Sequence, residues 1–326
     1  MPNAMNRRRF IASVATLSGM AAMPWLSACA PQRPLVVGVH TWVGYETLHL
    51  AHEFNWLPTT VQLQVTKEMS DSALAMQSGQ ADAACMTLDE VLRLRAAGLP
   101  LAVVLVFDIS AGADVVLAHK GINKPADLAG KRVGLEQNAL GTLVLEKLLE
   151  AAKLPASAIT IVECPSDQQL QAWLENRVDA VITFEPTATL LLREGAQRLF
   201  DSRQMPDLIY DVLAVNMDRI NGRTEALESL LAGHFRGLEH LRASRQDAIY
   251  RIATRENISP NEVQLVLGGV ILPSLNANRE YLTDQDNRLM RAAKTLSTLM
   301  LRRGMIKRED TFDRLITPTW LPRADG

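Results

Sequence analysis

Six acidic residues, Glu46, Asp89, Asp108, Asp114, Glu185 and Asp211, gather in short stretches that follow or border apolar runs, and Trp42 and Tyr45 share the first of them. Ionised carboxylates only accept hydrogen bonds, so such a group suits a partner rich in N–H or O–H donors. Indole and phenol rings add rigid faces for a ring or an alkylammonium group. The stretches are residues 41–46, 86–89, 108–114, 137–142, 183–185 and 210–211, and none contains Lys or Arg. A site for nitrate or a dianion presents cationic side chains. This set therefore points to a neutral or amine-bearing organic ligand, with Asp108, Glu185 or Asp211 accepting its donors. At least half of the carboxylates are expected to serve as caps or surface charges.

Two helix starts offer further chemistry. Asn138, Ala139, Gly141 and Thr142 open a helix whose free N–H groups suit a carboxylate, sulfonate or phosphate. Asn138 or Thr142 serving as an ordinary cap is the other reading, and both stay open. Thr87 is expected to cap the helix of residues 88–97, with Glu90 completing a capping box. His40, His49 and His52 lack a cysteine or carboxylate pattern that would complete a metal site. No Gly-Lys-Ser/Thr loop and no Gly-x-Ser-x-Gly turn is found, so neither a phosphate cradle nor a nucleophile elbow is indicated. No metal, cofactor or catalytic residue is assigned, and the chain reads as a non-enzyme.

The elements that must position these residues alternate. Residues 35–41, 61–66, 81–85 and 101–107 read as strands, with helices between them. A second set follows, with strands at 114–118, 131–135, 159–162, 180–183 and 197–200. Strand and helix in alternation imply an α/β fold of mainly parallel sheets flanked by helices. After a strand at 211–216 the pattern is helical, over residues 225–243, 245–256, 261–268 and 284–303. Pro260 follows Ser259 as a first-turn proline after a cap. Arg302, Arg303, Lys307 and Arg308 lie near a helix end, where positive charge suits the dipole.

The first residues are read separately. Arg7-Arg8-Arg9, an apolar run to Leu26 and Ser27-Ala28-Cys29 form an export signal with twin-arginine character and a lipidation site at Cys29. Residues 1–28 would be cleaved and residues 29–34 would form a lipidated tether. Removing 28 residues that carry three Arg and no acid takes the net charge from −2 to −5. That balance excludes a strongly basic nucleic-acid binder. Three cysteines are too few for a disulfide framework. Cys85 and Cys164 are read as buried thiols, with a bridge between them left open by export.

Several segments together resemble the two-lobed solute-binding proteins of ABC importers. They are Asp127-Leu128-Ala129-Gly130-Lys131-Arg132-Val133-Gly134, Gly38 with Trp42, Gly44, Tyr45 and Glu46, Ala81-Asp82-Ala83-Ala84, and Val178-Asp179-Ala180-Val181. More narrowly, the chain resembles the branch that binds nitrate, taurine, alkanesulfonates and thiamine-pyrimidine precursors. The resemblance implies a type II-like periplasmic binding protein with a helical C-terminal region. Lobe one would comprise residues 35–107 and 211–326, and lobe two residues 108–210, with hinge crossings at 108–113 and 202–210. It implies a monomer facing the periplasm or cell exterior, held to the membrane by its lipid, that passes a small solute to a permease and an ATPase. A ligand-loaded sensor and an enzyme of pyrimidine-precursor synthesis on the same fold are the alternatives. Ligands of open α/β sheets sit beyond the carboxyl ends of strands. The candidate site is accordingly Trp42, Tyr45, Glu46, Thr87, Asp89, Asp108, Asn138, Ala139, Gly141, Thr142, Glu185 and Asp211.

Overall fold

A computed structural model describes residues 33–66, 69–283 and 287–323. The export signal, Cys29 and most of the tether lie outside the described residues. The described residues from Pro34 onward form one compact unit.

Two sheets carry the architecture. The first has six strands in the order β11-β4-β10-β3-β1-β2: β1 (Leu35–His40), β2 (Val61–Thr66), β3 (Ala83–Thr87), β4 (Leu101–Ser110), β10 (Tyr210–Asn216) and β11 (Val270–Ile271). The second has five in the order β7-β6-β8-β5-β9: β5 (Val115–Ala118), β6 (Arg132–Leu135), β7 (Thr160–Glu163), β8 (Ala180–Thr183) and β9 (Gln197–Asp201). β3, β4, β5, β8 and β10 are buried throughout, which explains why they read as apolar runs without alternation.

The sheets are mixed, whereas the alternation predicts mainly parallel ones. β10 runs antiparallel to both β3 and β4, and β5 antiparallel to both β8 and β9. The cause is the route of the chain. β5 is the first strand after the chain leaves the first sheet, and β10 the first after it returns. Each therefore starts from the side facing the other sheet, where the home strands end.

The two crossings are bonded to each other. Ser110 and Ser202 share a hydroxyl–hydroxyl bond of 2.7 Å, and the Gly112 N–H donates to the Ser202 hydroxyl at 2.6 Å. The Ser202 N–H in turn donates to the Asp114 carbonyl at 3.0 Å.

Helices cover both sheets: α1 (Glu46–Glu53), α2 (Met69–Gln77), α3 (Leu88–Ala96), α4 (Ala139–Ala152), α5 (Ser166–Leu174) and α6 (Thr187–Arg193) precede the C-terminal series. That series comprises α7 (Thr224–Ala243), α8 (Arg245–Glu256), α9 (Pro260–Leu267), α10 (Leu275–Thr283) and α11 (Arg288–Arg302). Ser259 and Glu262 form a full capping box at α9. Thr87 makes no side-chain capping bond at α3, contrary to the sequence expectation, because its hydroxyl donates to Met69 Sδ at 3.3 Å. Glu90, the other half of the expected box, accepts from Arg93 at 2.8 Å. Arg302 and Arg303 reach Glu146 of α4 at 2.8 and 3.0 Å, so the basic helix end is tied to the other sheet's cover. Cys85 and Cys164 are free, buried thiols in separate apolar clusters. Among the described residues no helix is long and apolar enough to cross a membrane.

Candidate functional site

The ends of β1, β3, β6 and β8 open toward a single narrow slot. His40 and Thr87 are the last residues of β1 and β3; Glu136 and Phe184 are the first residues past β6 and β8. Trp42, Met69, Asp114, Leu140 and Asp211 complete the lining. The slot has about 20 Å³ of water-reachable volume, room for about one water molecule. Trp42 and Phe184 meet edge to face across it, ring centroids 6.0 Å apart at 77°.

Beneath the lining, buried acids and aromatics interlock. Asp211 of β10 lies directly opposite Asp108 of β4 and, on its other side, opposite Thr87 of β3. Like charges facing each other across a ladder repel, and both aspartates are buried. Each is given one donor from the turn after β1, where Val43–Tyr45 form a 3-10 turn. Trp42 Nε1 donates to Asp108 Oδ2 at 2.9 Å, and the Tyr45 hydroxyl donates to Asp211 Oδ1 at 2.5 Å. The turn needs Gly44 because a Cβ there would lie 1.7 Å from Asp108 Oδ2. Tyr45 packs edge-on against Phe107 and His40.

Burial sets the protonation of this group. It pushes the Asp211 carboxyl up to about 8, against the Tyr45 hydrogen bond and with help from the charges of Asp114 and Asp89. Asp89 rises to about 7 through burial and the neighbouring Glu90, and Asp114 to about 6 through burial. Asp108 lies well above the usual carboxylate range, by burial and then by Asp211. His40 moves the other way: burial lowers it to about 4, so its imidazole is neutral at pH 7.

Of the twelve candidates, Trp42, Thr87 and Asp211 line the slot. Tyr45 and Asp108 stand behind it and bond Asp211 and Trp42. Asp89 is buried in the first turn of α3 and acts on Asp211 through its charge. Glu46 is outside the slot lining and bonds Arg255 of α8. Glu185 accepts the Thr189 N–H at 3.0 Å and so serves the start of α6. Asn138 caps α4, its side chain accepting the Gly141 N–H at 2.7 Å, while the Thr142 hydroxyl donates to the Asn138 carbonyl at 2.9 Å. The capping reading of that helix start is therefore the one observed. Ala139 and Gly141 are buried in its first turn, and a Cβ on Gly141 would meet the Glu136 carbonyl at 2.2 Å.

Sequence reasoning left His40, Asp114, Glu136, Leu140, Phe184 and Met69 out of the candidate set. For Glu136 and Phe184 the signal was their place as the first residue past a buried strand. His40 was considered only as a metal ligand, and Asp114 only as one of the acidic residues. Among the described residues no group of three His, Cys, Asp or Glu side chains has metal-binding geometry.

The family described as "NMT1/THI5 like" matches residues 60–248 of the chain. No curated protein sequence matches it. Among solved structures, the chain resembles the ligand-binding component of an ABC-type import system from Staphylococcus aureus with zinc bound. The TM-score is 0.73 and the identity 14%, covering 89% of this chain and 98% of that one. The periplasmic aliphatic sulphonate-binding protein SsuA from Escherichia coli aligns with a TM-score of 0.71 at 16% identity, over 89% of this chain and 99% of that one. The desulfurization enzyme DSZB aligns with a TM-score of 0.64 at 16% identity, over 88% and 97%. These likenesses show the two-lobed α/β fold of periplasmic binding proteins.

Proposed function

The chain belongs to the NMT1/THI5-like family, and on that premise we propose that it is an extracytoplasmic solute-binding protein of an ABC importer. It captures a small organic solute, amine-bearing or a neutral heterocycle, between two closing lobes. Lobe one is residues 35–107 and 211–326, lobe two is residues 108–210, and the bonded crossings between them act as the hinge. The observation that carries the reading is the slot itself. Strand ends of both sheets supply its lining, and among the described residues neither Lys nor Arg is part of it. With room for about one water, the slot corresponds to the closed arrangement, and solute enters when the lobes part. The closed form is then the surface a permease reads. Export through the N-terminal signal, lipidation at Cys29 and action as a tethered monomer complete the proposal.

The slot's acidity sets this chain apart from what the name of the E. coli sulphonate-binding neighbour describes. Native mass spectrometry of freshly purified mature protein tests the reading: a co-purified small molecule is expected, lost on Trp42→Ala. Unchanged solute binding in that variant would place the ligand elsewhere. The likeness to DSZB supports an enzyme on this fold as the second reading. Recovery of the solute with a changed mass after incubation would favour it.

A further inference from the structure

In and behind the slot, the buried polar atoms left without a hydrogen-bond partner are all acceptors when the acids are ionised. They are His40 Nδ1, Asp114 Oδ2, Asp108 Oδ1 and Asp89 Oδ2. His40 and Asp114 line the slot and are only 6% and 4% exposed. The His40 ring also bonds the Cys85 backbone, which leaves Nδ1 with a lone pair to offer and no proton. Unsatisfied buried acceptors cost free energy, so a set of them around one space calls for donors from outside the chain.

Among the described residues, several arginines of the surrounding elements are committed elsewhere. Arg255 bonds Glu46, Arg93 bonds Glu90, Arg203 bonds Asp201 and Arg219 bonds Asp82. Arg198, beside the crossing, donates to the Gly112 carbonyl at 2.7 Å and pairs with Asp201. We propose that the solute carries a protonated nitrogen with at least two N–H bonds, a primary ammonium or an amidinium, that it seats against Asp114, Asp211 and His40, and that its arrival displaces a proton from the aspartate group to solvent. This deepens the solute-binding reading and rests on it.

The exchange balances. A carboxyl O–H bond breaks, its proton passes to water or buffer, and the carboxylate accepts the solute's N–H donors. One positive charge enters and one leaves. The groups facing Asp211 are Tyr45, Asp108, Asp114, Asp89 and the Cys85 thiol. Asp114 faces Ser110 and Asp211, and Glu136 lines the slot from the second sheet. None of these is a cation, so among the described residues named here no cation takes the place of the solute's charge. Without solute the Asp211 carboxyl, raised to about 8, holds its proton near neutral pH and is the one to release it. Asp114, at about 6, is largely ionised and already an acceptor.

Isothermal titration of the mature protein with benzylamine, benzamidine and benzenesulfonate, in phosphate and in Tris, tests this directly. Both cations should bind, with a heat that differs between buffers by release of about one proton and an affinity rising about tenfold per pH unit between pH 6 and 7. Benzenesulfonate should bind at least about tenfold more weakly. Asp114→Asn should lower cation affinity about tenfold and reduce proton release, with Asp211→Asn as the second variant. Tighter binding of the sulfonate, cation binding without buffer dependence, or no cation binding at millimolar concentration would overturn the inference. A co-purified solute of other chemistry in the slot would leave the solute-binding reading standing. Failure of every small molecule to bind would remove both.

Discussion

Buried acids fall into two groups in this molecule. Away from the slot most have arginine partners: Asp82 with Arg219, Glu46 with Arg255, Glu90 with Arg93 and Asp201 with Arg203, while Glu185 accepts the Thr189 N–H at the start of α6. At the slot, Asp89, Asp108, Asp114 and Asp211 have hydroxyl, indole or backbone donors and no guanidinium among the described residues. The consequence is visible in Asp201, where burial opposes ionisation, yet the Arg203 bonds win and hold the carboxyl below its usual range. For Asp211 burial prevails and the carboxyl rises to about 8. Pairing with arginine fixes a charge for structure. Withholding arginine leaves acceptors to be satisfied by something that comes and goes.

The largest expected effect breaks a paired acid. Arg219→Ala removes the guanidinium paired with Asp82, which is fully buried, and should cost about 3 kcal/mol in urea unfolding. Asp211→Asn at pH 8 should cost far less or stabilise the empty protein, since it removes the need to bury a charge. Equal losses in the two variants would dissolve the distinction between the groups.

Next comes the pH dependence of stability. A carboxyl whose pKa is raised by folding keeps protons that the unfolded chain has released. Its contribution is present at low pH and is lost as pH rises through the folded value. With Asp114, Asp89 and Asp211 at about 6, 7 and 8, the empty protein should melt at a lower temperature at pH 8 than at pH 5.5. The double variant Asp114→Asn with Asp211→Asn should flatten that slope, as read by calorimetry. A melting temperature that rises over this window would contradict the electrostatics of the slot.

Trp42→Phe keeps a ring at the slot and removes the N–H that bonds Asp108 at 2.9 Å. It should cost about 1 kcal/mol, with the larger loss at high pH where Asp108 must ionise. Smallest in reach is Asn138→Ala, which removes the α4 cap and should lower stability by about 1 kcal/mol. Binding of the benzylammonium probe should be unchanged, since that side chain serves the helix. A large loss of probe affinity would move part of the site to the α4 terminus.

Sequence reading located much of this arrangement because strand ends are local features. Short apolar runs bounded by turn residues mark where β1, β3 and β8 stop, and hence where Trp42, Thr87 and Glu185 begin. Bonds set by tertiary packing were not legible. Tyr45 reaches Asp211 across 166 residues and Arg255 reaches Glu46 across 209. Nothing in the local pattern of Glu46 separates it from Asp211, although one is bonded by arginine and the other borders the slot. The mixed pairing of the sheets escaped the alternation for a similar reason: strand direction depends on which lobe the chain has just left. The expected capping by Thr87 failed because Met69, outside the local pattern, takes its hydroxyl and Arg93 takes Glu90.

A crystal structure of the protein with its co-purified solute, or with the amine it binds most tightly, tests the central claim most directly. The account predicts a positively charged nitrogen within hydrogen-bonding distance of Asp114 and Asp211, with the solute body against Trp42 and Phe184. An anionic group held at the N-terminus of α4, or density away from the strand ends, would contradict it.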